Sequence, residues 1–228
     1  MSDNPIHVAV LDMAGTTVAD DGLVVRAFEA AATAAGLPAD GAERDQARRY
    51  VLDTMGQSKI VVFRALFGAE ERAQRANAEF ERAYAELIDN GYAAPIPGAA
   101  EAITELRDAG IKVALTTGFS AATQGKLLAA LGWQQLADLA LAPGDGVRSR
   151  PYPDLVLTAL MRLGADSVDN VAVLGDTSTD VESALRAGAA IAAGTLTGAH
   201  SEEDLRAAGA THVVGSVVDF ADLLLSTR

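Results

Sequence analysis

Asp176 and Asp180, in Gly175-Asp176-Thr177-Ser178-Thr179-Asp180, are two carboxylates one helical turn apart after an apolar run. A hard cation such as Mg²⁺ is held by one or two carboxylates, water and substrate oxygens, so this is the strongest local metal signal in the chain. N-capping by Asp176 is the competing reading. Asp12 stands in a similar place, ahead of Met13-Ala14-Gly15-Thr16-Thr17. A carboxylate there has a fixed position, and Gly15 lets backbone amides approach an anion closely; an Asp at a strand end also serves simply to cap a turn. Thr117-Gly118 offers a hydroxyl and a free amide ahead of a helix, a seat for a phosphoryl oxygen or only a turn. Arg150 lies in Arg148-Ser149-Arg150-Pro151-Tyr152-Pro153, where two prolines stiffen the loop; a solvated surface arginine would look the same.

These residues are positioned by short apolar runs. Residues 7–11, 111–115 and 170–174 are partly β-branched, and each leads into polar residues, as buried parallel strands do when chemistry sits at their carboxyl ends. Helical patterns flank them at 98–109, 121–131, 153–163 and 179–187. Two more short strands, 190–193 and 211–214, come with helices near 201–208 and 217–225. This alternation predicts an α/β fold, a Rossmann-like doubly wound parallel sheet. Residues 20–97 differ, being rich in Ala, Glu, Arg and Leu with no convincing strand. They read as an all-helical insert of about four helices, punctuated at Gly36-Leu37-Pro38, Met55-Gly56 and Phe67-Gly68. The expected division is therefore a core of residues 1–19 and 98–228 and a helical cap of 20–97 lying over the strand ends as a lid.

The composition narrows the partners. With 228 residues, half of them apolar, the chain can bury a sizeable core without staples. A formal charge of -13 argues against nucleic acid and anionic membranes, which are bound by clustered Lys and Arg, so an anionic substrate needs a local positive site. There is no cysteine, which excludes disulfides, thiolate metal sites and cysteine nucleophiles. The opening MSDNPIHVAVLDM lacks a basic segment followed by a long apolar run, and no stretch of about 18 apolar residues occurs, so a soluble cytoplasmic protein is expected.

The ordered set Asp12, Thr117, Arg150, Asp176 and Asp180 is more specific than any member, and it resembles the four motifs of the haloacid dehalogenase superfamily over nearly the whole chain. The resemblance implies Asp12 as nucleophile and metal ligand, and an Ala14 backbone carbonyl and Asp176 on Mg²⁺. It also implies Thr117, Gly118 and Arg150 on phosphate, with Asp180 a ligand through water or a support behind the ligands. Most phosphatases of the superfamily carry a second Asp two positions after the nucleophile, as the acid for the leaving alcohol; here that position is Ala14. The run 12–18, together with Thr116-Thr117-Gly118-Phe119 and Arg150-Pro151-Tyr152-Pro153, is similar to the phosphonatase branch, the phosphonoacetaldehyde hydrolases.

In that branch an imine makes a carbon-phosphorus bond cleavable. The segment Met55-Gly56-Gln57-Ser58-Lys59-Ile60 with Arg64-Ala65-Leu66 resembles the cap segment carrying the Schiff-base lysine, and so implies that role for Lys59. Burial and the neighbouring Arg64 are expected to lower the Lys59 pKa. One departure runs the other way: the branch has a histidine three residues after the lysine, and this chain has Val62. None of His7, His200 and His212 lies in the insert, and the family-typical role of the His200 loop is structural. The expected substrate is a small phosphonate or phosphate, the expected cofactor is Mg²⁺, and the chain is allowed to form a homodimer. Alternative functions are a phosphatase for small phosphate monoesters of phosphoglycolate type and, less favoured because the nucleophile and ligands are present, a non-catalytic binding module.

Overall fold

The computed structural model describes residues 5–226. Six parallel strands form one sheet: β1 (Val8–Asp12), β2 (Lys112–Thr116), β3 (Leu139–Leu141), β4 (Val171–Gly175), β5 (Ile191–Thr195) and β6 (His212–Val214). Their order is β3-β2-β1-β4-β5-β6, so the chain builds outward from β1 in one direction and then, from β4, in the other. The reversal lies between β1 and β4, and in open α/β sheets the crevice at such a point takes the ligand. β1 and β4 are buried throughout, as central parallel strands must be when helices cover both faces.

The side chains of β1 alternate between two apolar layers. Ala9 and Leu11 pack with α5 (Ala99–Asp108), α6 (Ala121–Ala130) and α10 (Val217–Ser226). Val8 and Val10 face α7 (Asp154–Leu163), α8 (Ser178–Ala187) and α9 (Glu202–Ala207). The α/β fold read from the sequence is the observed one. The sheet ladder runs one residue further than the apolar runs, so Asp12 is the last residue of β1 and pairs in register with Thr116. β3, three residues long and partly exposed, has too little periodic pattern to be read from sequence.

Between β1 and β2 lie α1 (Leu23–Ala34), α2 (Ala42–Asp53), α3 (Lys59–Phe67) and α4 (Glu70–Asp89), with no strand among them. The two connections into this insert run side by side: Ala19 N donates to Ala94 O and Ile96 N to Thr17 O, both at 2.9 Å. An aromatic column runs through the insert onto the sheet unit. The Phe63 ring stacks with Phe28 at 6.5 Å and meets Phe80 edge-on at 6.0 Å, and Tyr84 lies 4.6 Å from Phe119 beyond β2. The insert thus shares one apolar core with the Leu11 face of the sheet. No helix of the described residues is long and apolar enough to cross a membrane.

Phe63→Ala should empty the middle of the column and cost about 3–5 kcal/mol in urea unfolding. Leu52→Ala, at a site 42% exposed, should change stability by less than about 0.5 kcal/mol.

Candidate active site

The carboxyl ends of β1 and β4 bring Asp12 and Asp176 together, both buried. Gly15 permits this approach: its φ is +89°, and a Cβ there would lie 2.4 Å from Asp176 Oδ2. Asp176 Oδ2 accepts from the amide of Ala199 at 2.8 Å, and Thr16 Oγ1 donates to Oδ1 at 3.3 Å. The Ala199 loop is tied down in turn. His200 N donates to the Asp176 carbonyl at 3.2 Å, and His200 Nδ1 accepts from Ser178 N at 2.9 Å, which ties the ring to the first turn of α8.

Arg150, 5% exposed, is not a surface arginine. Its Nη1 lies 2.6 Å from Asp12 Oδ1 and 2.8 Å from Asp180 Oδ1, while Nη2 donates to Thr116 Oγ1 at 3.0 Å. Asp180 spends its other oxygen on a capping box, Oδ2 accepting from Thr177 N at 3.1 Å and Thr177 Oγ1 at 2.5 Å. The N-cap of α8 is therefore Thr177, and Asp176 is left to face Asp12. Thr117 is buried, with its hydroxyl accepting from Phe119 N at 3.1 Å. At Gly118 a Cβ would fall 2.6 Å from the carbonyl of Gly56 and 2.7 Å from that of Gln57, so the insert's loop is seated directly on this backbone.

The electrostatics are those of excess buried negative charge. Burial pushes the Asp12 carboxyl up, with Arg150 opposing and Asp180 reinforcing. Asp176 is raised well above the ordinary range by burial, then by the charges of Asp12 and Asp180. No group of three or more His, Cys, Asp or Glu side chains is placed to hold a metal among the described residues. The donor set is instead two carboxylates and a carbonyl: that of Ala14 accepts no hydrogen bond from any described residue. Oxygen donors of excess negative charge, one of them an unengaged carbonyl, fit a hard divalent cation.

Lys59 opens α3, 7% exposed, and it lines one narrow cavity of about 20 Å³ together with Asp12, Thr117, Arg150 and Asp176. Its Nζ lies 5.8 Å from the Phe80 ring centre and 5.7 Å from that of Phe119. Burial lowers its pKa to about 8, against the pull of Asp20 and Asp12. The expected part of Arg64 is not found: that side chain is half exposed and pairs with Glu70 at 2.7 Å, and the cation that acts on Lys59 is Arg150. Val62, where the phosphonatase pattern has histidine, is buried in the apolar core of the insert. Sequence reasoning passed over Asp20, the carboxylate acting most strongly on this lysine, and Tyr84, which packs against Phe80 and Phe119 with its hydroxyl buried and without a hydrogen-bond partner. A larger cavity of about 550 Å³ shares Arg150 with the site but is lined by neither Asp12 nor Lys59.

A doubly wound parallel sheet with acidic residues clustered at its switch point and a helical insert seated over them defines a class of hydrolases. The chain belongs to the haloacid dehalogenase-like hydrolases, whose sequence model matches residues 6–188. It is 28% identical over 205 residues to a protein of Dickeya dadantii strain 3937 described as probable phosphatase IndB, covering 88% of this chain and 86% of that one. It is 33% identical over 130 residues to a phosphonoacetaldehyde hydrolase of Bacillus cereus, a match that spans 56% of this chain but only 48% of that relative. The crystal structure of a hydrolase from Pseudomonas syringae superposes with a TM-score of 0.84 at 25% identity, over 96% of this chain and 98% of that one.

Arg150→Met should strand two buried carboxylates and cost about 3–5 kcal/mol in urea unfolding at pH 8. The loss should shrink as the pH falls and the carboxylates take up protons. A loss that does not depend on pH would mean that the arginine acts by packing.

Proposed function

We propose that this chain is a phosphonatase-like hydrolase that requires Mg²⁺ and cleaves the carbon-phosphorus bond of a small carbonyl phosphonate, phosphonoacetaldehyde or a close analogue. The observation that carries the reading is the buried amine of Lys59 in the same cavity as Asp12, beside a position 14 that bears no acid. An ester substrate would lose its alkoxide unassisted there, a handicap of roughly 10²–10⁴ in rate. Departure of carbon as an enamine needs no such acid.

In this mechanism the neutral Lys59 amine adds to the carbonyl and expels water, giving an imine that takes up a proton at nitrogen, returned when the adduct is hydrolysed. Asp12 then attacks phosphorus; the carbon-phosphorus bond breaks and its electron pair passes into the enamine. Thr117, Gly118 and Arg150 hold the phosphoryl oxygens, the guanidinium exchanging part of its contact with Asp12 for the substrate. The enamine takes a proton at carbon and hydrolyses to free the aldehyde, and a further water releases phosphate from Asp12. The sum is one water consumed per bond cleaved. Mg²⁺, held by Asp12, Asp176 and the Ala14 carbonyl with Asp180 behind them, supplies the positive charge that lets a carboxylate approach a dianion. Residues 20–97 serve as the lid that delivers Lys59 and excludes water.

The second reading is a cytoplasmic phosphatase for small phosphate monoesters, in which Lys59 binds substrate as a cation. It is favoured by Val62, which leaves the lysine without the branch's proton carrier, and by the Dickeya relative's description.

Phosphonoacetaldehyde hydrolysis by wild type, Lys59→Arg and chelator-treated protein separates the readings. Lys59→Arg keeps the charge but forms no imine, so turnover should fall at least about 10³-fold, while phosphoryl transfer from an activated aryl phosphate to Asp12 persists. Because the reacting amine must be neutral and has a pKa near 8, kcat/KM should climb with pH up to about 8 and then level. Unchanged turnover in Lys59→Arg favours the phosphatase; full activity in metal-free buffer removes Mg²⁺ from the account.

A further inference from the structure

Lys59 also lines a second cavity, of about 140 Å³, whose lining does not include Asp12. Lys59, Gly118 and Phe119 line both it and the Asp12 cavity, so the two spaces adjoin at these residues. At roughly 10–15 Å³ for each water, the second space holds on the order of ten waters, ample room for a short extension of the substrate. A phosphonate that ends at an aldehyde, with phosphorus at Asp12 and carbonyl at Lys59, would leave all of it to solvent.

Much of the lining is polar. Asn77 and Glu81 stand one turn apart on α4, and Ser58 at the start of α3 lines the same cavity. Glu81 uses a single oxygen to hold the insert to the sheet unit: Oε2 accepts from Ser120 Oγ at 2.6 Å and from Thr123 Oγ1 at 3.2 Å. No donor among the described residues reaches Glu81 Oε1, and the side chains of Asn77 and Ser58 make no hydrogen bond there either. Half-buried polar groups left open toward a cavity demand partners from whatever fills it. A carboxylate supported by two hydroxyls, with no cation other than Lys59 in the lining, accepts a hydroxyl or ammonium group and repels a carboxylate or second phosphate.

The geometry points to a substrate whose carbonyl carbon carries a short hydroxylated or aminated extension, a 2-oxoalkylphosphonate larger than phosphonoacetaldehyde, with Glu81 and Asn77 as the residues that select it. The inference rests on the proposed placement of phosphorus at Asp12 and carbonyl at Lys59. Glu81 reads the end of the extension by charge, and Asn77 reads it by hydrogen bonding.

The test is the affinity of the full-length protein with Mg²⁺ for three ketones, 3-hydroxy-2-oxopropylphosphonate, 2-oxopropylphosphonate and phosphonopyruvate, measured by calorimetry. The hydroxylated ketone should bind at least about 10-fold tighter than the methyl ketone, and phosphonopyruvate weakest. In Glu81→Gln the hydroxyl preference should fall several-fold and phosphonopyruvate should gain. Asn77→Ala should lose part of the hydroxyl preference without helping phosphonopyruvate. Thr123→Val weakens the clamp but keeps the carboxylate, so it should keep the order of the wild type. Equal affinities in the wild type, or an order unchanged by Glu81→Gln, would overturn the assignment. Borohydride reduction of the same mixtures reads the imine separately: the binding order with no adduct on Lys59 would leave this subsite standing and remove the Schiff-base reading.

Discussion

Three carboxylates, those of Asp12, Asp176 and Asp180, are buried around a single guanidinium at the ends of two neighbouring strands, and Asp12 and Asp180 pair with it directly. Like charges in a medium of low dielectric repel strongly, and one arginine does not balance three acids. The sheet order makes this arrangement unavoidable, because β1 and β4 are adjacent at the point where the winding reverses. Other features of the site answer the same imbalance. Thr177 takes one oxygen of Asp180, the Ala199 amide takes one of Asp176, and the Ala14 carbonyl accepts no hydrogen bond from any described residue, a donor set that fits a divalent cation. Arg150 holds Asp12 in place through an ion pair that it shares with Asp180.

Against this charge the insert sets one lysine in an apolar setting. The rings of Phe80 and Phe119 bring it within reach of Asp12, while burial keeps its pKa near 8. These demands conflict, since nearby carboxylates favour the ammonium and desolvation favours the amine. Desolvation prevails, and the cavity shared with Asp12 has room for about one water. The seam that achieves this is specific: the Gly56 and Gln57 carbonyls rest on Gly118, Thr179 Oγ1 donates to the Met55 carbonyl at 3.1 Å, and Glu81 takes the hydroxyls of Ser120 and Thr123.

The residues at strand ends were legible in the sequence because local pattern fixes them. An apolar run followed by Asp, or by Thr-Gly, states both the element and the exit, and the sheet then brings the exits together. The helical character of residues 20–97 was legible for the same reason. Contacts between distant segments were not. Asp20, Asn77 and Glu81 look like ordinary helix or loop residues, and only the packing of the insert's own segments against one another brings them to Lys59. Arg64 shows the converse error, since nearness in sequence suggested an influence that the fold spends on Glu70. The short β3 escaped because three partly exposed residues carry no period.

The central claim is that a carbonyl phosphonate is held with its carbon on Lys59. Borohydride reduction in the presence of phosphonoacetaldehyde, followed by intact mass and peptide mapping, tests it most directly. The account predicts a single reduced adduct on the peptide containing Lys59, formed more readily at pH 8 than at pH 6 and lost in Lys59→Arg. No adduct, or one spread over the protein's other lysines, would contradict it.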